Sequence, residues 1–179
     1  VATIFLFFLI SEIFSMTSLN NLKKTCFFYE NVYLQNDKYV TQDIHKAIHY
    51  YSLAAENHSD AQFNLGLIYL CGEYVTIDVK KAIHYLQLAA DQNHADAQFN
   101  LGLIYLCDKY ATVDINKAIH YFKLAAVQYH EYAQFKLGQI FSSDKYITVD
   151  INEAIYYYSL AANQNHLVAQ FNLGYIYLS

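Results

Sequence analysis

The chain has 179 residues, 55% of them hydrophobic, with a net charge of −5 at pH 7. That is enough apolar material for one domain or one short solenoid, and it excludes a disordered class. Every basic residue is Lys, so the planar fork that grips phosphate and guanine is missing and nucleic-acid binding loses its best tool.

Residues 1–16, VATIFLFFLISEIFSM, open with an apolar run of ten residues, half of a membrane span. No basic stretch precedes it. Three readings of the segment 1–18 stay open: a degenerate helix covering the first core, the truncated tail of a leader or anchor, or a translation artefact. Residues 19–42 read as a degenerate half-repeat. Phe27, Val32, Tyr33 and Leu34 match Phe63, Ile68, Tyr69 and Leu70 further on, with Glu30 in place of a glycine. The loop 36–41 then resembles 108–112, Tyr39 matching Tyr110.

From residue 43 the chain repeats itself. DIHKAIHYYSLAAENHSDAQFNLGLIYL starts at Asp43, DVKKAIHYLQLAADQNHADAQFNLGLIYL at Asp78, DINKAIHYFKLAAVQYHEYAQFKLGQIFS at Asp114 and DINEAIYYYSLAANQNHLVAQFNLGYIYLS at Asp150. Gly66, Gly102, Gly138 and Gly174 recur every 36 residues, and the first unit is one residue short between Glu56 and Asn57. The units span 43–77, 78–113, 114–149 and 150–179. Proline is absent and glycine scarce, which suits helices joined by short connections.

Each unit divides into two helices. In the second, helix A is expected over 79–90, with Asp78 as its N-cap and Ala82, Tyr85, Leu86, Ala89 and Ala90 as its apolar stripe. Asp43, Asp114 and Asp150 repeat that cap. Helix B is expected over 95–106 and has two apolar faces: Ala97, Leu101, Ile104 and Tyr105 on one, Phe99, Leu103 and Leu106 on the other. A helix apolar on two sides is buried on two sides. Glycine inside helix B costs about 1 kcal/mol against alanine, so its recurrence needs a packing reason. The expected reason is close approach to the Ala89–Ala90 pair of helix A. Between the helices, Asn57, Asn93 and Asn165 are expected to take the left-handed conformation that ends a helix, and Tyr129 fits poorly there. The third unit puts Gln139 and Ser142 where the second has Leu103 and Leu106, which makes it the wettest joint.

The residue types that carry chemistry recur because the repeat recurs. His49, His84 and His120 share one place, which becomes Tyr156; His58, His94, His130 and His166 share another. His45 and His49 lie four apart on one helix face, but no third metal ligand is evident. Cys71 and Cys107 are 36 apart with Ser143 in the third equivalent place. With Cys26 the count is odd, which argues against a disulfide framework and for a reducing compartment. No GxGxxG, Walker-type loop, GxSxG or HExxH is present. No catalytic residue, metal or cofactor is assigned, and a hydrolase or metal enzyme is the less favoured reading.

The KAI-x-Y-x-x-LAA run, the A-Q-F-x-L-G-x-I-Y-L run and the Cys-Gly-Glu-Tyr-Val loop resemble the Sel1-like repeat family, a relative of the tetratricopeptide repeat, over residues 43–179. The chain departs from that pattern in its loops: Asn or Tyr129 replaces the interhelix glycine, the loop glycine survives only as Gly72, and the loop proline is missing. The resemblance implies an all-α, right-handed solenoid of antiparallel helix pairs with a concave groove lined by A helices. It also implies an adaptor or scaffold role in multiprotein assemblies.

The expected binding face is the exposed stripe of the A helices, where residues change while the packing positions do not. It reads His45, His49 and Ser52; Lys80, His84 and Gln87; Asn116, His120 and Lys123; Asn152, Tyr156 and Ser159. It carries Lys and His and no acid, which favours an acidic protein or peptide partner. Nucleic acid is not an expected partner, and a membrane is one only if residues 1–16 belong to an anchor. Phe171, Tyr175 and Leu178 would face a further unit, so more repeats in a parent protein or self-association is expected. A cytoplasmic location is expected; a membrane-tethered adaptor in a secretory-pathway complex is the alternative.

Overall fold

The computed structural model describes residues 44–72 and 75–178, which form eight α-helices and no strand. The A helices are α1 (Ile44–Ala54), α3 (Val79–Asp91), α5 (Ile115–Ala126) and α7 (Ile151–Asn163). The B helices are α2 (Ser59–Cys71), α4 (Ala95–Leu106), α6 (Glu131–Phe141) and α8 (Leu167–Leu178). Each helix packs on its neighbours in the chain, and a B helix packs most extensively on the A helix that follows it. The readings made for 1–18, for the half-repeat at 19–42 and for a cap at Asp43 lie outside the described residues. No helix among the described residues is long and apolar enough to cross a membrane.

The helix starts follow from caps of two kinds. Asp78, Asp114 and Asp150 each accept a backbone N–H of the first turn through Oδ1, from Lys81, Lys117 and Glu153 at 3.0–3.1 Å. Three of the four B helices use histidine instead, while His58 before α2 makes no side-chain cap bond. Nδ1 of His94, His130 and His166 accepts the N–H of Ala97, Ala133 and Ala169, each at 3.2 Å.

The ends of α3, α5 and α7 follow from a left-handed residue. Asn93, Tyr129 and Asn165 have φ of 61°, 63° and 67°. At α3, the His94 N–H donates to Ala89 and the Asn93 N–H to Ala90, which satisfies two carbonyls that the helix itself leaves unpaired. Tyr129 does the same work despite its side chain. Asn57 does not take this conformation, contrary to expectation. Its turn is one residue shorter, and the N–H groups of Asn57 and His58 both reach Ala54.

The core is a long seam from Phe63 to Tyr157 and a smaller cluster of Ala154, Tyr158, Ala161 and Ala169 beyond it. Ala82, Leu86 and Ala89 of α3, Leu101, Leu103 and Ile104 of α4, and Ala118, Phe122 and Ala125 of α5 are fully buried. Both faces of α4 are therefore covered, one by α3 and the other by α5, as its two apolar stripes require.

The glycines pack differently from expectation. A Cβ on Gly66 would lie 2.7 Å from Leu86, on Gly102 2.5 Å from Phe122, and on Gly138 2.5 Å from Tyr158. The close approach is thus to the large side chain of the following A helix, not to the Ala pair of the unit's own A helix. The Ala pairs are small for another reason: they line the buried side of the A helix, where Ala89 and Ala90 sit in the core. Gly174 has no neighbour within 4 Å, so the same glycine has no packing duty on α8 in the described structure.

A polar thread runs through this apolar seam. Buried Gln98 donates Nε2–H to the Ala90 carbonyl at 3.1 Å and accepts from Gln128 Nε2 at 2.7 Å through its own Oε1. Gln62 bridges Ala55 and Gln92, and Gln134 bridges Ala126 and Gln164, in the same way. Each buried amide satisfies a helix-end carbonyl inside its unit and is itself satisfied from the next unit, so the desolvation cost of the side chain is offset and the register between units is held.

Candidate partner-binding face

α3, α5 and α7 each place one face on the B helix before them, and all four A helices turn a face outward. On the outward face, His45, His49, Ser52, Lys80, His84, Asn116, His120, Lys123, Asn152 and Tyr156 are exposed, and Gln87 and Ser159 are half-buried. The twelve positions picked from the sequence therefore all reach solvent in some measure. Two of them also serve the joints. Gln87 Oε1 accepts the Tyr121 hydroxyl at 2.6 Å, and Lys123 Nζ lies 5.6 Å from the centre of the Phe141 ring. Ser52 is satisfied within its own helix, donating to the Ile48 carbonyl at 2.7 Å.

Beside the stripe lies a row of stacked rings that sequence reasoning missed. Tyr69 stacks on Tyr85 at 5.9 Å, Tyr105 on Tyr121 at 5.8 Å and Phe141 on Tyr157 at 5.8 Å, with planes 5–7° apart. Each ring pair spans a joint, with one ring at the end of a B helix and one from the next A helix. The variable residue sits edge-on to this row: His84 at 5.3 Å from Tyr85, His120 at 5.2 Å from Tyr121, Tyr156 at 5.0 Å from Tyr157. Lys81 and Lys117 cover Tyr69 and Tyr105 from the other side, each at 5.0 Å. The face is thus a shelf of half-buried and buried rings, Phe141 among five tyrosines, edged with His, Lys and Tyr156. Burial and the surrounding groups push the Tyr121 and Tyr157 hydroxyls up from their ordinary value, so they stay neutral donors through the physiological range. The sequence signal for the row was available: an aromatic residue at 69, 105 and 141 always meets Tyr sixteen residues on.

Three members of the second histidine series, His94, His130 and His166, are structural, while the His58 side chain is exposed and caps nothing. His94 and His130 stack on Phe63 and Phe99 at 4.5 Å, and His166 on Phe135 at 4.3 Å. Because Nδ1 accepts a cap hydrogen bond, Nε2 carries the proton, and it points to Asp60 from His94 and to Asp96 from His130, each at 3.2 Å. Tyr132 replaces that Asp in the third unit, and its ring meets His166 edge-on at 5.6 Å. Burial holds the His166 imidazole below the usual histidine range.

The third joint carries the polar residues singled out in the sequence. Ser142 Oγ lies 3.1 Å from the Tyr158 hydroxyl, and Lys136 donates from Nζ to Gln139 Oε1 at 3.2 Å. Lys136 is 3% exposed, and burial pushes its ammonium down to about 8. Of the two cysteines in the described residues, Cys107 is a free thiol and Cys71 is disulfide-bonded. No group of three or more His, Cys, Asp or Glu side chains converges among the described residues; His45 and His49 stand exposed on α1.

Helix pairs joined end to end, each burying its neighbour's second face, define an α-solenoid repeat protein. The Sel1 repeat family model matches residues 32–59, 59–94, 95–130, 131–166 and 167–179, so the chain belongs to the Sel1 repeat family. The matches at 59–94, 95–130 and 131–166 each begin at a B helix and take in the A helix that follows. The chain is similar to a Sel1 repeat protein from Oxalobacter formigenes, with a TM-score of 0.71 and 29% identity over 87% of this chain and 62% of that one. It is also similar to c5321, a protective antigen present in uropathogenic Escherichia coli strains displaying an SLR fold. There the TM-score is 0.69 and the identity 29%, over 73% of this chain and 28% of that one. The chain thus spans less than two thirds of the length of either structure. No curated protein matches.

Proposed function

We propose that the chain is a protein–protein interaction scaffold that takes an extended, acidic segment of a partner along the A-helix face. The Sel1 repeat family supports the coarser reading, since its members commonly act as interaction scaffolds. One observation carries the finer one. The rings beneath the face are stacked alike at three joints, while the residues above them change from His84 to His120 to Tyr156. A rigid tyrosine shelf supplies contact area at low entropic cost, and the variable edge supplies selectivity. Lys80 and Lys123 give the stripe its positive sign, and none of its twelve positions is an acid; a carboxylate meets it at Asp91, which accepts from Gln87 at 2.8 Å. No reaction is assigned to the chain. Its location, cytoplasmic or tethered to a membrane in a secretory-pathway complex, turns on residues 1–16 and is testable by fractionation.

The test is affinity capture from native extract with the full chain and with a His49→Glu, His84→Glu, His120→Glu variant. The variant must keep the parent's helical signal and melting. A partner held by the parent and lost by the variant supports the stripe as the binding face. Identical capture by both overturns it and moves binding to the loops or the open end.

A further inference from the structure

We propose that the turn between α5 and α6 is a second docking surface, centred on Tyr129 and Tyr132, and that its occupant is an arginine- or lysine-rich segment of a partner protein. The repeat supplies its own control. Where the second unit reads Asp91, Asn93 and Asp96, the third reads Val127, Tyr129 and Tyr132. The fourth returns to asparagine at the first two places, Asn163 and Asn165. All three replacements in the third unit face water: Val127 is 75% exposed, Tyr129 79% and Tyr132 53%. A described helix pair stands on each side of this turn, α3 and α4 before it and α7 and α8 after it, so the exposure belongs to the middle of the described solenoid. Tyr129 also holds φ at 63°, where its counterparts are asparagine. That region costs a bulky side chain more than it costs asparagine. The Tyr129 side chain enters no hydrogen bond or ring contact among the described residues. A strained residue whose side chain serves no such internal contact points to a contact outside the chain.

The patch is pinned in place. The N–H groups of Gln128, Tyr129 and His130 reach the Ala125 and Ala126 carbonyls at 3.0–3.3 Å, and the Gln128 side chain bridges to Gln98 at 2.7 Å. The Tyr132 ring lies tilted 6.4 Å from Phe99 and edge-on 5.6 Å from His166. Aromatic rings already ordered lose little entropy on binding. Charge selects the occupant. Residues 88–99 and 124–135 form this turn and its counterpart in the second unit; they hold Asp91, Asp96 and Glu131 and no lysine. Asp96 lies 3.2 Å from Nε2 of His130, whose ring is 6.2 Å from Tyr132, and Glu131 directly precedes Tyr132. The flanking lysines are placed elsewhere: Lys123 lies over the Phe141 ring and Lys136 is buried. Exposed phenol rings beside carboxylates suit a guanidinium or ammonium group, which gains the ring face and the opposite charge together. The A-helix stripe has the other sign, so this surface takes a different segment and does not rest on that reading.

The experiment is fluorescence anisotropy on the full chain with labelled peptides of equal length, built from Arg-Gly, Ser-Gly or Glu-Gly repeats. The expected result is binding of the Arg-Gly peptide, with the other two at least tenfold weaker. Tyr129→Asn installs the residue of the second unit and leaves the charge alone. It should melt no lower than the parent and bind the Arg-Gly peptide about tenfold more weakly. Glu131→Gln should weaken that binding and reduce its dependence on salt. Asp144→Asn removes the same charge from an exposed place in the loop after α6 and should leave binding unchanged. A chain that binds none of the peptides, or all of them alike, overturns the proposal. Binding that survives Tyr129→Asn, or that Asp144→Asn weakens as much as Glu131→Gln does, is the pull of a net charge of −5 on any cation and overturns it as well.

Discussion

At the joint between α4 and α5, Leu103, Leu106 and Phe122 meet without a polar atom among their side chains; thirty-six residues on, Gln139, Ser142 and Tyr158 hold the same places between α6 and α7. The backbones meet in the same way, since Gly102 and Gly138 both admit the large ring at 2.5 Å from where a Cβ would sit. The chemistry differs in a coupled manner. Where a leucine becomes a serine, the facing phenylalanine becomes a tyrosine, and the two hydroxyls lie 3.1 Å apart. The wetter third joint is therefore a matched one. A polar atom in a seam costs free energy only when it lacks a partner, and here the partner changed with it.

Four changes would break or sharpen that comparison. The largest effect is expected for Gly102→Leu and Gly138→Leu, each losing about 3 kcal/mol or more by overpacking against a ring that cannot retreat. Thermal melting measures it, and a joint that tolerates the leucine would show that the close approach is not the shared feature.

The next effect is the buried cation of the third joint. Lys136 has its ammonium pushed down to about 8 by burial, against an ordinary value of 10.5. Between those two values the unfolded chain holds a proton that the native chain has released, so native stability rises as pH increases through this window. The expected rise is on the order of 1–3 kcal/mol. Lys136→Met should remove it and stabilise the chain at pH 7. Denaturant midpoints of parent and variant across the window decide the matter, and parallel curves would refute the buried charge.

A smaller effect belongs to the hydroxyl pair. Ser142→Leu should cost about 1 kcal/mol because it strips a partner from the Tyr158 hydroxyl, and adding Tyr158→Phe should recover most of the loss. A double-mutant cycle with no coupling would mean that the two substitutions arose independently. The smallest effect lies at the turn before α6. Tyr129→Asn should raise stability by about 0.5 kcal/mol, because Tyr129 is exposed at a φ of 63° that asparagine adopts more easily. A loss in melting temperature there would reveal a contact that the exposed ring makes.

Much of this was legible from residues alone, for reasons that differ by element. The A-helix starts were readable because an Asp before an apolar stripe has a local duty, accepting N–H groups of its own first turn. Double burial of α4 was readable because Phe99, Leu103 and Leu106 form a second stripe. The direction of the glycine contact was not readable. Ala89 and Phe122 are both candidates for a slot at Gly102, and only the rotation of the helices decides which one enters it. The left-handed turn at Asn57 failed because removing one residue shortens the path between the helices and leaves the following N–H groups to the same carbonyl. The histidine caps were missed because His94 lies next to nothing in sequence that reveals Phe63 beneath its ring or Asp60 beyond Nε2.

The candidate face divides in the same way. Exposure of its stripe followed from helical spacing, which places positions two, six and nine after the capping residue on one side. The tyrosine row beneath it depends on how the end of one B helix meets the next A helix, and that is a matter of packing. By itself the sequence determined the repeat, the helix pairs, the Asp caps of the A helices and the side that reaches water, because each rests on interactions within a few residues of one another. The tertiary structure alone decided which side chain fills each glycine slot and how the glutamines bridge the units. Those outcomes depend on the rotation and offset of one helix against another, and no local propensity encodes them.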